Sequence, residues 1–303
     1  MALRPIDNAL PISSERLKRQ AKTIISAHKE KQVVDIGVND ENIAPLPYQS
    51  STEVSIDYIS SENLKPIQDP DFKIQALVGG LESKDWLKVC ESLNDVRRFA
   101  LYHSDLLLSF LDKVVLVMVK SMKNPRSALI KTSIMASYDI FKAFGVTLYD
   151  STSDSINQLI LQLLLKACQD KKFVCEEAER ALLAMVEAMA PLPLLQKLSA
   201  YVGHSNLKVR AKAAIFISKC VSKMMMDVKG MEEFGLTVLI QTASNLLNDK
   251  LPEAREAARS IVVSLYEAIT ESREDKQEYW QSLCQSNLPA INAQAMLKIV
   301  SST

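Results

Sequence analysis

The sequence predicts an all-α fold: an α-solenoid of about six stacked helix pairs with a largely irregular N-terminal tail. Three observations lead there. Only 7 of the 303 residues are Gly, too few for the tight turns of a sandwich, a barrel or a doubly wound sheet. From about Phe72 onward apolar residues recur at helical spacing, and no stretch alternates with period 2 over a strand length between turn signals. The same pattern then returns roughly every 40 to 45 residues, which marks a repeat architecture.

The tail comes first. Residues 1–32 carry seven cations (Arg4, Arg16, Lys18, Arg19, Lys22, Lys29, Lys31) against Asp7, Glu15 and Glu30, a net of about +4. Ser13-Ser14-Glu15-Arg16 reads as a helix start, running to about His28. Residues 33–71 reverse the sign, with eight carboxylates against Lys65, a net of about −7. Pro45, Pro47, Pro66 and Pro70 lie there among Ser, Asn and Asp, so this stretch reads as an extended linker that buries little. The expected division is a tail over 1–70 and a helical domain over 71–303.

The helical domain reads as pairs: 72–81 with 85–101, 105–121 with 125–144, 154–169 with 173–189, 191–202 with 206–224, 231–247 with 252–270, and 274–285 with 288–300. Short polar turns join the partners, among them Ser83-Lys84-Asp85, Lys123-Asn124, Asp170-Lys171-Lys172 and Asn248-Asp249-Lys250. Asn124 before Pro125 is a helix start, with Pro at N1 where its missing N–H costs nothing. The openings of the second helices resemble one another. Pro125-Arg126-Ser127-Ala128-Leu129-Ile130, Lys208-Val209-Arg210-Ala211 and Glu253-Ala254-Arg255-Glu256-Ala257 each set an Arg before small or apolar residues. Arg126 and Arg210 are 84 positions apart, two periods of 42, and Arg210 and Arg255 are 45 apart. Neither helix of a pair hides its apolar face alone, so the pairs must stack, and the period fits HEAT or armadillo repeats. Each Arg is expected to bond an acidic residue or a carbonyl of a neighbouring repeat.

Composition excludes several functions. The 36 Lys and Arg balance 36 Asp and Glu, so nothing draws the whole chain to nucleic acid or to an anionic membrane, and neither is expected as a partner. No run of about 18 apolar residues would span a bilayer. Residues 1–20 do not read as a signal peptide. The five cysteines are odd in number and lack CxxC spacing, so they read as core residues in a reducing compartment, and the expected location is cytoplasmic. No catalytic constellation appears. His28, His103 and His204 lack ligand spacing, and no phosphate loop or nucleophile elbow is present. Glu176, Glu177 and Glu179 suit the positive end of a helix dipole. The reading is a chain that is not an enzyme and takes no cofactor or metal.

Leu81-Glu82-Ser83-Lys84-Asp85-Trp86, followed by Leu93, Val96, Arg97 and Arg98, resembles the opening of a TOG domain, where a Lys-Asp-Trp turn joins the first two helices. Met122-Lys123-Asn124-Pro125-Arg126-Ser127-Ala128 is similar to the second repeat of the CLASP-type domain, and Lys208-Val209-Arg210 to the fourth. The resemblance covers about Asp69 to Thr303. It is strongest to CLASP and crescerin-type TOG domains, and more narrowly extends to a plant armadillo-superfamily group of single-domain proteins. It implies a flat paddle of six HEAT repeats whose intra-repeat turns bind αβ-tubulin or microtubules, and a cytoskeletal association. Carried over by position, the implied tubulin-binding residues are Trp86 with Lys84, then Lys123 and Arg126, Lys171 and Lys172, Lys208, and Lys250. Asn124-Pro125 departs from the acidic and apolar pair common in the family. The physics of the positions agrees with the role. A Trp beside a wet turn suits an interface anchor, and a row of cations on one edge steers an acidic partner. The alternative reading is a HEAT or armadillo adaptor that holds another protein or a peptide on its concave face.

Overall fold

A computed structural model describes residues 58–148, 154–225 and 227–302, so the expected basic helix near Ser13 to His28 lies outside the described residues. Among the described residues there are fourteen α-helices and a short 3-10 turn at Ser61–Asn63. All six expected pairs form. They are α1 (Pro70–Leu81) with α2 (Trp86–Tyr102), α3 (Ser104–Leu108) and α4 (Leu111–Met122) with α5 (Ser127–Phe144), and α6 (Asp154–Lys166) with α7 (Lys172–Ala188). Then come α8 (Pro191–Ser199) with α9 (Leu207–Lys223), α10 (Val228–Phe234) and α11 (Leu236–Leu247) with α12 (Pro252–Thr270), and α13 (Lys276–Asn287) with α14 (Ala290–Ser301).

Two expected single helices are broken, which lifts the number from the twelve of six pairs to fourteen among the described residues. The helix over 105–121 breaks at Ser109 and Phe110, where the Phe110 backbone leaves helical dihedrals. The helix over 231–247 breaks at Gly235, whose φ of 105° is open only to a residue without Cβ. Local chemistry sets the other boundaries. Asp85 accepts a hydrogen bond from the Leu87 amide at 3.0 Å and Asn206 one from the Lys208 amide at 3.0 Å, capping α2 and α9. Pro70, Pro191 and Pro252 open α1, α8 and α12. Pro125 is different: α5 starts two residues later, at Ser127. Asn124 instead accepts from the Arg126 amide at 2.9 Å, closing an Asx turn ahead of the helix.

The repeat period is written into the contacts between neighbouring pairs. Arg97 bonds Asp139, Lys171 bonds Ser127, Tyr201 bonds the Asn157 carbonyl and Ser222 bonds Ser264, over sequence separations of 42 to 44 residues. The second helices α2, α5 and α7 stack on one another, as do α9 and α12, while α7 meets α9 only lightly. At that lighter junction Lys223 donates to the carbonyls of Val186 and Glu187 at 2.9 Å and of Met189 at 3.1 Å. Its ammonium therefore caps the negative end of α7 from the next pair. The apolar stripes bury as the spacing predicts: Leu93, Val96 and Phe99 on α2, Ile134 and Ile140 on α5, and Ile261, Val262 and Leu265 on α12 are each fully enclosed.

The last stretch of the acidic segment buries more than its composition suggests. Leu64 is 3% exposed and its carbonyl accepts from the Tyr102 hydroxyl at 2.6 Å. Ser61 donates to Asp139 at 2.6 Å, and Asp139 also receives Arg97 Nε at 2.7 Å in a pair that is closed to solvent. Residues 58–69 are thus a strap on the first two pairs. A buried charge is stable only when paired and hydrogen-bonded, and the strap supplies one of those bonds.

Candidate functional site

The turns inside the pairs occupy neighbouring places along one edge, because contacts link each of the first five to the next. Turn one ends at Trp86, the first residue of α2. Ser83 Oγ accepts from the Asp85 amide at 3.1 Å, and Asp85 caps α2, so two local bonds fix the ring's take-off. The indole is half-buried against the core rather than fully exposed. The Arg126 guanidinium of turn two lies 5.4 Å from its centroid, a cation–π distance. Lys171 of turn three donates to Ser127 at 3.0 Å. Lys208 of turn four approaches Asp170 of turn three at 3.8 Å. Arg210 donates to Asp249 of turn five at 2.9 Å and to the His204 carbonyl at 3.2 Å.

Of the eight residues singled out in sequence, Lys84, Lys123, Arg126, Lys171, Lys172, Lys208 and Lys250 are exposed and Trp86 is half-buried. The exposed pair Lys172 and Glu176, at 3.6 Å, is worth little in water. The expectation for the recurring arginines holds for Arg210, which reaches an acidic residue of the next pair. Arg255 departs from it: it donates to the Asp249 and Lys250 carbonyls of its own turn at 2.8 and 3.0 Å. Arg126 departs too, meeting an aromatic face in place of a carboxylate or carbonyl.

Two aromatics escaped the sequence reading. Phe173, the second residue of α7, and Tyr58 in the strap are 42% and 43% exposed. Lys131 of α5 sits between them, 4.3 Å from the Tyr58 centroid and 5.9 Å from that of Phe173. The available signal was positional, since Phe173 opens a second helix as Trp86 does. Tyr58 gave no signal, because the strap has no periodicity.

Titration adds one detail to the edge. Burial pushes the Asp249 carboxyl up, but the bond from the Leu251 amide and the Arg210 guanidinium outweigh it and hold it below the ordinary carboxylate range. Elsewhere burial raises the thiols, Cys220 and Cys284 to about 12, so these sulfurs are inert core atoms. Cys168 and Cys175 are half-buried and their thiols are raised as well, first by burial. His204 Nδ1 accepts from the Asn206 amide at 3.1 Å, the work of a turn residue. Among the described residues no three His, Cys, Asp or Glu side chains group to hold a metal ion, and no helix is long and apolar enough to cross a membrane.

Six stacked helix pairs with a continuous turn edge define a HEAT-type α-solenoid. Residues 97–285 match the CLASP N-terminal family, and the chain belongs to that family. It is 29% identical over 179 residues to the TOG array regulator of axonemal microtubules protein 1 of Mus musculus, covering 59% of this chain and 10% of that protein. The chain thus spans about a tenth of the length of that relative. In three dimensions it is similar to the TOG domain of C. elegans Zyg9, with a TM-score of 0.57 at 14% identity, over 80% of this chain and 90% of that one. It is also similar to the MAST/Orbit N-terminal domain, with a TM-score of 0.52 at 17% identity, over 78% of this chain and 98% of that one. At such identities the two structures speak for the fold.

Proposed function

We propose that this chain is a non-catalytic tubulin- or microtubule-binding module that works through its turn edge. The observation that carries the reading is the edge itself. Seven exposed cations and a half-buried Trp line neighbouring turns of a chain whose formal net charge is +0. Membership of the CLASP N-terminal family and the likeness to a regulator of axonemal microtubules support it. In this reading the cations steer an acidic tubulin surface into encounter, and Trp86 with Phe173 supplies the apolar contact that slows release. Asp170 and Asp249 temper the edge, and Asp249 holds Arg210 in place. A cytoplasmic, cytoskeleton-associated location goes with the same proposal. So does the narrower likeness to the plant armadillo-superfamily group, which rests on one run of six pairs behind a short N-terminal tail.

The test is binding of the purified chain to αβ-tubulin by gel filtration and to microtubules by co-sedimentation, at low and at physiological salt. The proposal expects a complex that weakens as salt rises, because exposed charges are screened. A folded chain that binds neither form at low salt contradicts it and promotes the adaptor reading.

A further inference from the structure

We infer a second binding surface: a groove across α9, α12 and α14 that takes an extended acidic peptide. Three hollows make it continuous. One of about 290 Å³ between turn three and α9 shares Ile215 and Glu253 with a hollow of about 590 Å³ between α9 and α12. That one shares Glu256, Arg259 and Ser260 with a hollow of about 750 Å³ between α12 and α14. Neighbouring packed helices lie about 9 Å apart. Two such steps make roughly 20 Å, the length of about six residues of extended chain.

The walls specify the occupant. Six cations line the three hollows (Lys208, Lys212, Lys219, Arg255, Arg259 and Lys298) against two carboxylates, Glu253 and Glu256. Lys212 is paired with Glu179, and Arg259 with Glu256 at 2.7 Å. Lys219 and Lys298 are exposed and have no ion pair among the described residues, which leaves two ammonium groups for incoming carboxylates. Asn292 on the wall of the 750 Å³ hollow offers an amide to a peptide backbone, beside Asn248, whose Nδ2 already donates to the Ser244 carbonyl at 3.1 Å. Ser244 supplies an independent sign. It lines the same hollow, is 2% exposed, and its hydroxyl has no hydrogen-bond partner among the described residues. An unpaired buried hydroxyl costs stability, and a peptide carbonyl or amide in the hollow would relieve it. Single-stranded nucleic acid fits less well. No aromatic ring lines the hollows for bases to stack on, and the two carboxylates interrupt a phosphate track.

Lys208 borders both surfaces, but Lys219 and Lys298 are not among the turn-edge residues, so the double variant tests the groove apart from the turn-edge proposal. The test is fluorescence anisotropy of the full chain with a labelled peptide of about ten residues alternating Glu and Ser, beside a matched peptide with Gln for Glu. The Glu peptide is expected to bind roughly tenfold tighter than the Gln peptide. The Lys219→Glu/Lys298→Glu double variant is expected to lose at least roughly that factor with an unchanged thermal midpoint. Trp86→Ala is expected to bind the peptide as wild type does. Equal binding of the two peptides, or undiminished binding by the double variant, overturns the inference. So does a single-stranded oligonucleotide that binds more tightly than the Glu peptide and is lost with the same double variant.

Discussion

The Arg126 guanidinium covers the Trp86 ring at 5.4 Å, so the second pair builds part of the surface that the first pair presents. Each of the following links, from Ser127 to Lys171, from Asp170 to Lys208 and from Arg210 to Asp249, repeats that relation one step further along. The edge is therefore linked from turn to turn, most firmly where Arg210 meets the enclosed Asp249 and least where Lys208 and Asp170 meet in water.

Arg126→Ala removes a cation from the edge and bares one face of the indole. Exposed cation–π contacts are worth about 0.5–1 kcal/mol, so the variant should fold with a thermal midpoint close to wild type. Tubulin binding should weaken several-fold, more at low salt than at high salt. A titration at two ionic strengths checks it, and an unchanged affinity at both would place Arg126 outside the contact.

Asp139→Ala leaves the Arg97 guanidinium buried with its main partner gone. Breaking a buried pair from one side costs about 3–5 kcal/mol, so this single change should lower the thermal midpoint far more than any edge substitution. The paired change Arg97→Met with Asp139→Leu should recover much of the loss, because the desolvation penalty goes with the charges. Circular dichroism melts of the two variants beside wild type decide it.

The fold was legible because two periodicities agree. Apolar spacing gave the helices, and the return of an Arg at helix openings gave the pairs, both of which the packing requires. The strap over 58–69 was not legible, because Ser61, Leu64 and Tyr58 act through partners far away, such as Asp139, Tyr102 and Lys131. At the candidate site the exposure of the lysines was legible, because turn position alone exposes them. The roles of the arginines were only partly found. Arg126, Arg210 and Arg255 occupy equivalent places but meet a ring, a carboxylate and two carbonyls, and what stands opposite each is a tertiary fact.

Lys223 joins the two halves of the stack at their lightest contact. Lys223→Met keeps the aliphatic stem and removes all three charged hydrogen bonds to the end of α7. Bonds to charged groups contribute about 1.5–3 kcal/mol each at most. The expected outcome is faster hydrogen exchange in the last turn of α7 and in α9, with α2 and α5 unaffected. Uniform acceleration along the whole chain would argue against a local junction.

Asp249 gives the edge a dependence on pH. Its carboxyl titrates lower in the folded chain than in the unfolded one, so its contribution is present above the unfolded pKa of about 4 and fades as pH falls through the lower folded value. Wild type should therefore be more stable than Asp249→Asn at neutral pH, and the gap should close on acidification below about 4. Urea midpoints of both proteins from neutral to acid pH test the sign. A gap that widens toward acid contradicts it.

The central claim is that function lies on the turn edge, and the most direct measurement is the tubulin affinity of Trp86→Ala and of Lys171→Glu/Lys172→Glu beside wild type, each checked for unchanged helicity. The account predicts a loss of about 2 kcal/mol, roughly thirtyfold, for the Trp variant, and a comparable or larger loss for the charge reversal at low salt. Wild-type affinity in both folded variants would contradict it and move the contact off this edge.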